Sequence, residues 1–387
     1  MTHCDNCGHY NQEDALFCGK CGTRLAINDD KGQNGKSHEH KEESEDSWIG
    51  TLNEYIGNDK PAELNWKMLF TDVFKHHTRE EAERIFICGT KTTTPNITDV
   101  SRSWPRPWLY SRVLLLFLAT FGLLWTCVAA FDNINALPGM IVVGSFAFPS
   151  SVMILFLEAN VWRNVSLYHV LMTFFIGGCA ALVVTLFLMP STIDEIDFFH
   201  ALMIGVVEEL GKAVIIFVFL SRMDKPSILS GMLVGAAVGA GFAAFESAGY
   251  ALQPFIYFQQ AAGYAAAFGQ MIDGQEAMEV VNHVIIMRGL LAPGGHVAWA
   301  AITGAAFVIA TKWKGGMDFS VFTNSKFLKL FAIPVALHFL WDSPIAEWCN
   351  ELVPFSSYIM LIVLVWIVVL ILINMGLAEV SNSKTGN

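Results

Sequence analysis

The sequence predicts an all-α polytopic membrane protein of about eight transmembrane helices, preceded by a small metal-binding head. Three observations support this class: 53% of the 387 residues are hydrophobic and only 15% are charged, the apolar residues lie almost wholly after Ser111, and four cysteines cluster near the amino terminus. This composition is too apolar for a soluble globule. We therefore expect a polar head and a membrane-embedded body.

The head contains two Cys-x-x-Cys pairs with ten residues between them, formed by Cys4, Cys7, Cys18 and Cys21. A glycine follows each pair, where the turn around a tetrahedral thiolate site needs a permissive backbone. The pattern is typical of a zinc ribbon, predicted over residues 1–27, with structural Zn²⁺ coupled to folding. Disulfides are the alternative, which a reducing cytoplasm disfavours. The net charge of −11 argues against nucleic acid as a main partner, and we expect the ribbon to bind a cytoplasmic protein or to serve as a plain structural cap.

Two segments connect the head to the membrane. Residues 28–60 are polar and are predicted to be a disordered linker. Residues 61–111 are predicted to be a helical juxtamembrane segment at the cytoplasmic surface. Within it, Thr78-Arg-Glu-Glu81 resembles a capping box that begins a short helix ending near Ile87.

Windows of about 20 apolar residues predict the membrane spans. We place eight, at 113–131, 138–157, 168–189, 198–220, 228–250, 293–311, 327–346 and 355–375. The membrane domain then covers 112–376 and leaves 377–387 as a cytoplasmic tail. The stretch 251–292 is predicted to be external, as a re-entrant or interfacial helix.

Basic residues in the loops predict the orientation, because Lys and Arg concentrate on the cytoplasmic side. One side carries Arg163, Arg222, Lys225, Lys312, Lys314, Lys326 and Lys329. The other side carries only Arg288. We therefore expect a multi-pass protein of the cell membrane with both termini in the cytoplasm and residues 191–197 outside.

Five ionisable side chains lie in stretches that otherwise indicate lipid-buried helix: Glu208, Glu209, Glu246, His338 and Asp342. A charge at bilayer depth costs at least ~2.5–3.5 kcal/mol on insertion scales, so such groups face a protein interior or a watered cavity and form an ion path, a proton relay or a catalytic centre. A plain ion pair with Lys212 is the alternative for the first two, but it leaves one carboxylate uncompensated.

The rise of a helix, about 1.5 Å per residue, converts these positions into depth. Glu208 is predicted to lie roughly 15 Å below the outer surface, and Glu246 four residues from the outer end of its span. His296 begins span six, while His338 and Asp342 share one helical face. Taken singly, each could be an interfacial or locally hydrogen-bonded residue. Together they can meet in the outer half of the membrane, and carboxylates with histidines are what water-activating hydrolysis requires.

Four motifs occur in order in successive spans. They are Glu208-Glu-Leu-Gly-Lys212, Phe242-Ala-Ala-Phe-Glu246, Arg288 leading to Gly295-His-Val-Ala-Trp299, and Leu337-His-Phe-Leu-Trp-Asp342. Over roughly residues 112–350 they resemble the PrsW family of intramembrane proteases, within the clan of CaaX-processing and bacteriocin-associated membrane proteases. CaaX-type members tend to have a histidine where this chain has Glu246, which favours the PrsW branch and disfavours prenylated substrates.

The resemblance implies peptide-bond hydrolysis in or near the bilayer, in the best-known role on a single-pass anti-sigma factor at its extracytoplasmic side. The clan has been described both as metalloproteases and as glutamate proteases. A catalytic divalent metal could be bound by His296, His338, Asp342 and Glu246, since two histidines and a carboxylate suit zinc.

The metal-free version, which we favour, implies a different division of roles. Glu208 takes a proton from water, aided by His296 and Glu246. His338 and Asp342 stabilise the oxyanion. Two further residues hold the first carboxylate in place: Glu209 and Lys212.

Two other function classes stay open at this point. A proton- or ion-coupled transporter would also place carboxylates at depth, but it usually shows paired halves with broken helices, and no such repeat is visible. A non-catalytic receptor or scaffold could signal through the zinc ribbon. The intact polar residues in all four motifs count against it.

Overall fold

The computed structural model describes residues 2–3, 10–11, 48–58, 64–101, 103–189, 196–268, 274–311 and 317–382. The chain divides into two compact units, Met1–Ser47 and Trp48–Asn387. Each unit is considered by itself below, and the second contains the membrane body.

The first unit contains a short antiparallel pair of strands. Strands β1 (Thr2–His3) and β2 (Tyr10–Asn11) pair with Thr2 opposite Asn11 and His3 opposite Tyr10. The strands lie on either side of the first predicted cysteine pair in the sequence. The four predicted zinc ligands lie outside the described residues: Cys4, Cys7, Cys18 and Cys21.

A helix begins the second unit where the sequence predicts only linker. Helix α1 spans Trp48–Ile56, so the predicted disordered segment 28–60 extends too far toward the membrane; its residues 28–47 are outside the described part. Ile56 is buried in the main hydrophobic core, and the Tyr55 hydroxyl donates to the backbone carbonyl of Lys329 at 2.9 Å. These contacts with the membrane body stabilise a helix that the polar composition of the segment does not predict.

The predicted capping box is present. Helix α2 spans Arg79–Phe86, and the Thr78 hydroxyl accepts from the Glu81 N–H at 3.2 Å. In return the Thr78 N–H donates to Glu81 Oε2 at 3.0 Å, which holds the pKa of the Glu81 carboxyl below its ordinary value. His77 stacks on Trp108 with ring centroids 3.9 Å apart. This contact joins the juxtamembrane segment to the start of the first membrane helix.

The membrane body consists of helices α3 to α13. Their bounds are α3 Leu109–Phe131, α4 Leu137–Ala159, α5 Leu167–Met172, α6 Gly178–Leu188, α7 Phe198–Leu220, α8 Ile228–Ala267, α9 Gln275–Leu291, α10 His296–Thr311, α11 Ser325–Asp342, α12 Pro344–Leu352 and α13 Ser356–Asn382. A π-helical turn, Thr173–Gly177, joins α5 to α6.

Within the described residues, six helical segments are long and apolar enough to cross a membrane, or seven if α11 and α12, bent by 56°, form one span. The chain is thus a multi-pass membrane protein. The predicted total of eight stays a prediction. The remaining predicted span is α7, which has 23 residues but contains three charged side chains.

Helix α8 extends well past the predicted end of its membrane span. The helix runs for 40 residues from Ile228 to Ala267, well past the predicted span end at 250, so Glu246 is far from its carboxyl end. The sequence after residue 250 is rich in alanine and aromatic residues, and only Pro254 interrupts the helical pattern. The predicted external stretch 251–292 is therefore mostly helix.

Helix α9 returns from this extension into the body. Its side chains Val281 and Ile285 belong to one buried cluster with Met140 of α4 and Ala251 of α8. The three-residue helical turn Ala292–Gly294 then separates α9 from α10. The predicted sixth span, 293–311, thus begins at this turn and continues as the single helix α10.

Close contact between α8 and α10 fixes the centre of the fold. Gly231, Gly235 and Gly239 recur every four residues on the face of α8 that meets α10. A Cβ atom on Gly235 would lie 2.0 Å from the Ala300 carbonyl oxygen, and one on Gly239 2.2 Å from that of His296. Small residues allow membrane helices to approach this closely. The contact therefore sets the position of His296 along α8.

Candidate active site

Helix α7 carries three charged groups into the protein interior. Asp197 caps the helix by accepting from the His200 N–H at 2.8 Å, and this bond holds the pKa of the Asp197 carboxyl below its ordinary value. Glu208 lies three turns further along, with Glu209 beside it and Lys212 one turn on. Glu209 and Lys212 are completely buried. Burial of this kind requires compensating partners.

The Lys212 ammonium group links three of these partners. Its Nζ donates to Glu209 Oε1 at 2.7 Å and lies 3.4 Å from Glu208 Oε2. The same atom lies 2.8 Å from His296 Nδ1, and 4.3 Å from the centre of the Phe242 ring. One ammonium group therefore contacts two carboxylates and an imidazole. Its single positive charge balances only part of the negative charge of Glu208 and Glu209.

His338 lies on the opposite side of the carboxylate pair, on α11. Its Nδ1 is 3.0 Å from Glu209 Oε1, and its Nε2 is 3.1 Å from Asp342 Oδ2 and 3.8 Å from Glu208 Oε2. The ring stacks on Trp299, with centroids 4.5 Å apart. Both ring nitrogens face carboxylate oxygens, which is the arrangement expected for a doubly protonated ring.

His296 is the first residue of α10 and follows the break after α9. Its Nδ1 faces Lys212 Nζ at 2.8 Å and Glu208 Oε2 at 3.9 Å, while its Nε2 is 3.1 Å from Glu246 Oε2. Because a lysine ammonium can only donate, Nδ1 accepts from it and Nε2 carries the proton toward Glu246. The ring thus connects the α7 carboxylates to the carboxylate on α8.

Arg288 belongs to the third sequence motif, but no role was predicted for it, and the structure places it in the site. Its guanidinium NH2 forms an ion pair with Glu246 Oε2, and its Nε donates to the Ser247 hydroxyl at 2.8 Å. The guanidinium also lies over the Tyr250 ring, 4.5 Å from the centroid. One feature of the sequence could have identified it: Arg288 is the only basic loop residue on the predicted outer side.

The structure brings all seven predicted site residues of the membrane domain into one connected cluster: Glu208, Glu209, Lys212, Glu246, His296, His338 and Asp342. A cavity of about 160 Å³ borders this cluster. Glu208, Glu246, His296, His338 and Asp342 line it, whereas Glu209 and Lys212 lie behind them. A polar cavity of this size has room for several waters, and Glu208 is among the residues that such waters could contact.

The fold and the cluster define a polytopic membrane protein with a polar cavity among its helices. The profile of the PrsW family intramembrane metalloproteases matches residues 165–373, more than half of the chain, and the chain belongs to this family. A zinc-ribbon domain profile matches residues 3–25. Comparison with curated proteins and with solved structures gave no match. The predictions of an intramembrane peptidase and of an amino-terminal zinc ribbon are confirmed.

The family description implies a metal, and this chain offers a suitable set of donor atoms, in which His296 Nδ1 would exchange its bond to Lys212 Nζ, 2.8 Å away, for the metal. Glu208, His296 and His338 each offer a ligand atom, and these atoms lie within 4.8 Å of one another. The second nitrogen of each ring contacts a carboxylate, Glu246 and Glu209 respectively, as in many metal sites. Glu209 Oε2 is buried and has no hydrogen-bond partner among the described residues. Four carboxylates surround only two permanent cations, so a divalent cation would complete the charge balance with His338 neutral, as metal binding requires.

Proposed function

We propose that this protein cleaves a single-pass membrane protein close to the extracytoplasmic surface, in the manner of site-1 cleavage of an anti-sigma factor. The main support is the direction in which the cavity extends from the cluster. Ile196, just before α7, and Trp341, near the end of α11, line it together with the catalytic candidates. The cavity therefore extends toward the side of the membrane that carries residues 191–197, which the loop charges place outside.

The orientation is part of this proposal. Both termini would be cytoplasmic, because seven basic loop residues lie on the assigned inner side and one on the outer side. The zinc ribbon, with structural zinc held by its four cysteines, would then face the cytoplasm and bind a protein there rather than nucleic acid.

In the proposed reaction, Glu208 removes a proton from water as the water oxygen attacks the peptide carbonyl carbon. Glu246 orients His296, which lies beside Glu208 and limits how the carboxylate can turn. The positive charge of the doubly protonated His338, whose N–H groups face Glu209 and Asp342, stabilises the negative charge that develops on the carbonyl oxygen. The proton held by Glu208 then passes to the leaving amine, so the two products form without net proton release.

Glu209 and Lys212 act behind this group as positioning residues. Glu209 Oε1 contacts both Lys212 Nζ and His338 Nδ1. It thereby fixes the direction of the His338 ring and of the ammonium that faces Glu208. Neither side chain lines the cavity.

A metal-dependent version is the second candidate, favoured by the convergence of Glu208, His296 and His338. A divalent cation such as Zn²⁺ lowers the pKa of a bound water and polarises a carbonyl. In that version Glu208 is a ligand instead of the base. Glu246 and Glu209 orient the two rings, and His338 Nε2 carries no proton.

Metal content separates the two versions. We expect purified full-length protein to contain one zinc per chain, and Cys18→Ser to lose it, because three thiolates in so short a fold hold the metal poorly. Cys179→Ser, which removes an exposed cysteine, is the matched control and should keep the zinc. Inductively coupled plasma mass spectrometry provides the count. A second metal that is present in wild type and absent from Glu208→Gln would favour the metal-dependent version.

Cleavage in a defined membrane tests the function itself. The full-length protein is reconstituted in proteoliposomes with a single-pass protein that has an extracytoplasmic domain, chosen from the neighbouring genes. We expect a cut in the outer half of the transmembrane segment or just outside it, mapped by mass spectrometry of the fragments. A substrate with an unrelated transmembrane segment is the control. Fragments cut only on the inner side would contradict the proposed outward site.

A further inference from the structure

A second cavity, unrelated to the catalytic cluster, lies between α3, α4 and α13. It measures about 320 Å³ and is lined by Leu114, Phe148, Val152, Leu155, Trp366 and Leu370, among others. The short segment Trp66–Phe70 from the juxtamembrane region borders it at the amino-terminal end of α3. The cavity is thus placed within the membrane body next to its surface.

The side chains that line this cavity are almost all apolar. Two lining residues carry hydroxyl groups, and both groups are already used. The Ser151 hydroxyl donates to the Ala147 carbonyl at 2.6 Å, and the Tyr110 hydroxyl donates to the Leu69 carbonyl at 3.1 Å. A water molecule needs two to four polar partners to stay in a cavity. The cavity therefore suits an apolar occupant better than water.

The size and surroundings identify that occupant. An apolar cavity of ~150 Å³ already binds benzene, and this one is about twice as large. In a bilayer the surrounding solvent consists of acyl chains, which are the available apolar groups of this length. Trp66 and Phe70 at the rim are both more than half exposed, so the cavity reaches the surface. Lys67 and Arg112 are exposed beside this rim in the sequence and can pair with a phosphate.

We propose that this cavity binds one acyl chain of a phospholipid from the leaflet that contains the Trp66–Phe70 segment. The bound chain would contact the back of the break before His296. Pro293, within that break, lines the cavity, and its carbonyl accepts a hydrogen bond from Trp366 Nε1 at 3.0 Å. The lipid therefore supports the turn from which α10 begins. This inference depends on the fold and not on the proposed catalytic roles.

Photolabelling tests the site. The full-length protein is reconstituted in phosphatidylglycerol and phosphatidylcholine vesicles that contain a phospholipid with a diazirine near the end of one acyl chain. After irradiation, mass spectrometry should find label concentrated on peptides of α4 and α13 that line the cavity. Label distributed evenly over lipid-exposed side chains, or absent from the lining, would overturn the proposal.

A variant that fills the cavity provides a second test of the acyl-chain site. Leu114→Trp places an indole in the cavity and should abolish labelling of the lining peptides. Leu116→Trp is the matched control, because it makes the same change on the same helix at a position 68% exposed, and it should label as wild type does. Unchanged labelling in Leu114→Trp would contradict the site. If Leu114→Trp does not accumulate, the map of labelled peptides in wild type decides alone.

Discussion

Replacing Glu208 by glutamine is expected to reduce proteolysis of a co-reconstituted membrane substrate by at least ~10²-fold. The amide keeps the size of the side chain and its hydrogen-bonding capacity, but it cannot take a proton from water. Protein accumulation should stay near the wild-type level, because Glu209 still pairs with Lys212 at 2.7 Å. The measurement is the initial cleavage rate in proteoliposomes at equal protein content.

Two companion variants make this result specific. Glu279→Gln changes an exposed carboxylate on α9 that lies outside the cluster, and it should cleave at the wild-type rate. His338→Ala should lose activity through the missing oxyanion stabilisation, on the order of 3–4 kcal/mol at comparable sites. Wild-type cleavage by both Glu208→Gln and His338→Ala would remove these residues from the chemistry. Loss of an ion flux in the same two variants would point to transport.

The second large effect is expected at the contact between α8 and α10. In Gly235→Ala, the new Cβ would lie 2.0 Å from the Ala300 carbonyl oxygen, a backbone atom that cannot turn aside. Overpacking typically costs 1–3 kcal/mol and occasionally more. Since α10 begins at His296, a displaced α10 also moves the imidazole away from Lys212. We therefore expect both a lower thermal unfolding temperature in detergent and a loss of cleavage.

The same helix provides the control. Gly249 lies on α8 with no atom within 4 Å of its added Cβ. Gly249→Ala should be neutral or slightly stabilising, by up to ~1 kcal/mol, because alanine is the better helix former. Equal unfolding temperatures for Gly235→Ala and Gly249→Ala would show that α8 and α10 are less tightly packed than the structure indicates.

The features that the sequence predicts are those that depend on residues close together in the chain. Lys212 lies one turn after both Glu208 and Glu209, and His338 and Asp342 are one turn apart, so helix geometry alone brings Lys212 near each carboxylate and His338 near Asp342. The spans followed from apolar windows because a bilayer demands them. The capping box at Thr78 followed from its own side-chain chemistry.

Contacts between distant segments account for the rest. The ion pair of Glu246 with Arg288 joins residues 42 positions apart, and the contact of Lys212 with His296 joins residues 84 apart. No period in the sequence encodes such pairs. Helix α1 was missed for the same reason, because the burial of Ile56 depends on the core of the membrane body. The continuation of α8 past residue 250 as one helix was not predicted, because hydropathy marks where lipid stops, not where a helix does.

The length of α8 has a mechanical consequence. Forty residues make a rod of about 60 Å, roughly twice the hydrocarbon thickness of ~30 Å, so one helix carries Glu246 and also projects beyond the bilayer. Pro254 lies between these two parts, where its missing N–H and its ring weaken the helix. Any bend in this helix is therefore expected at Pro254, about two turns after Glu246, and not at the carboxylate itself.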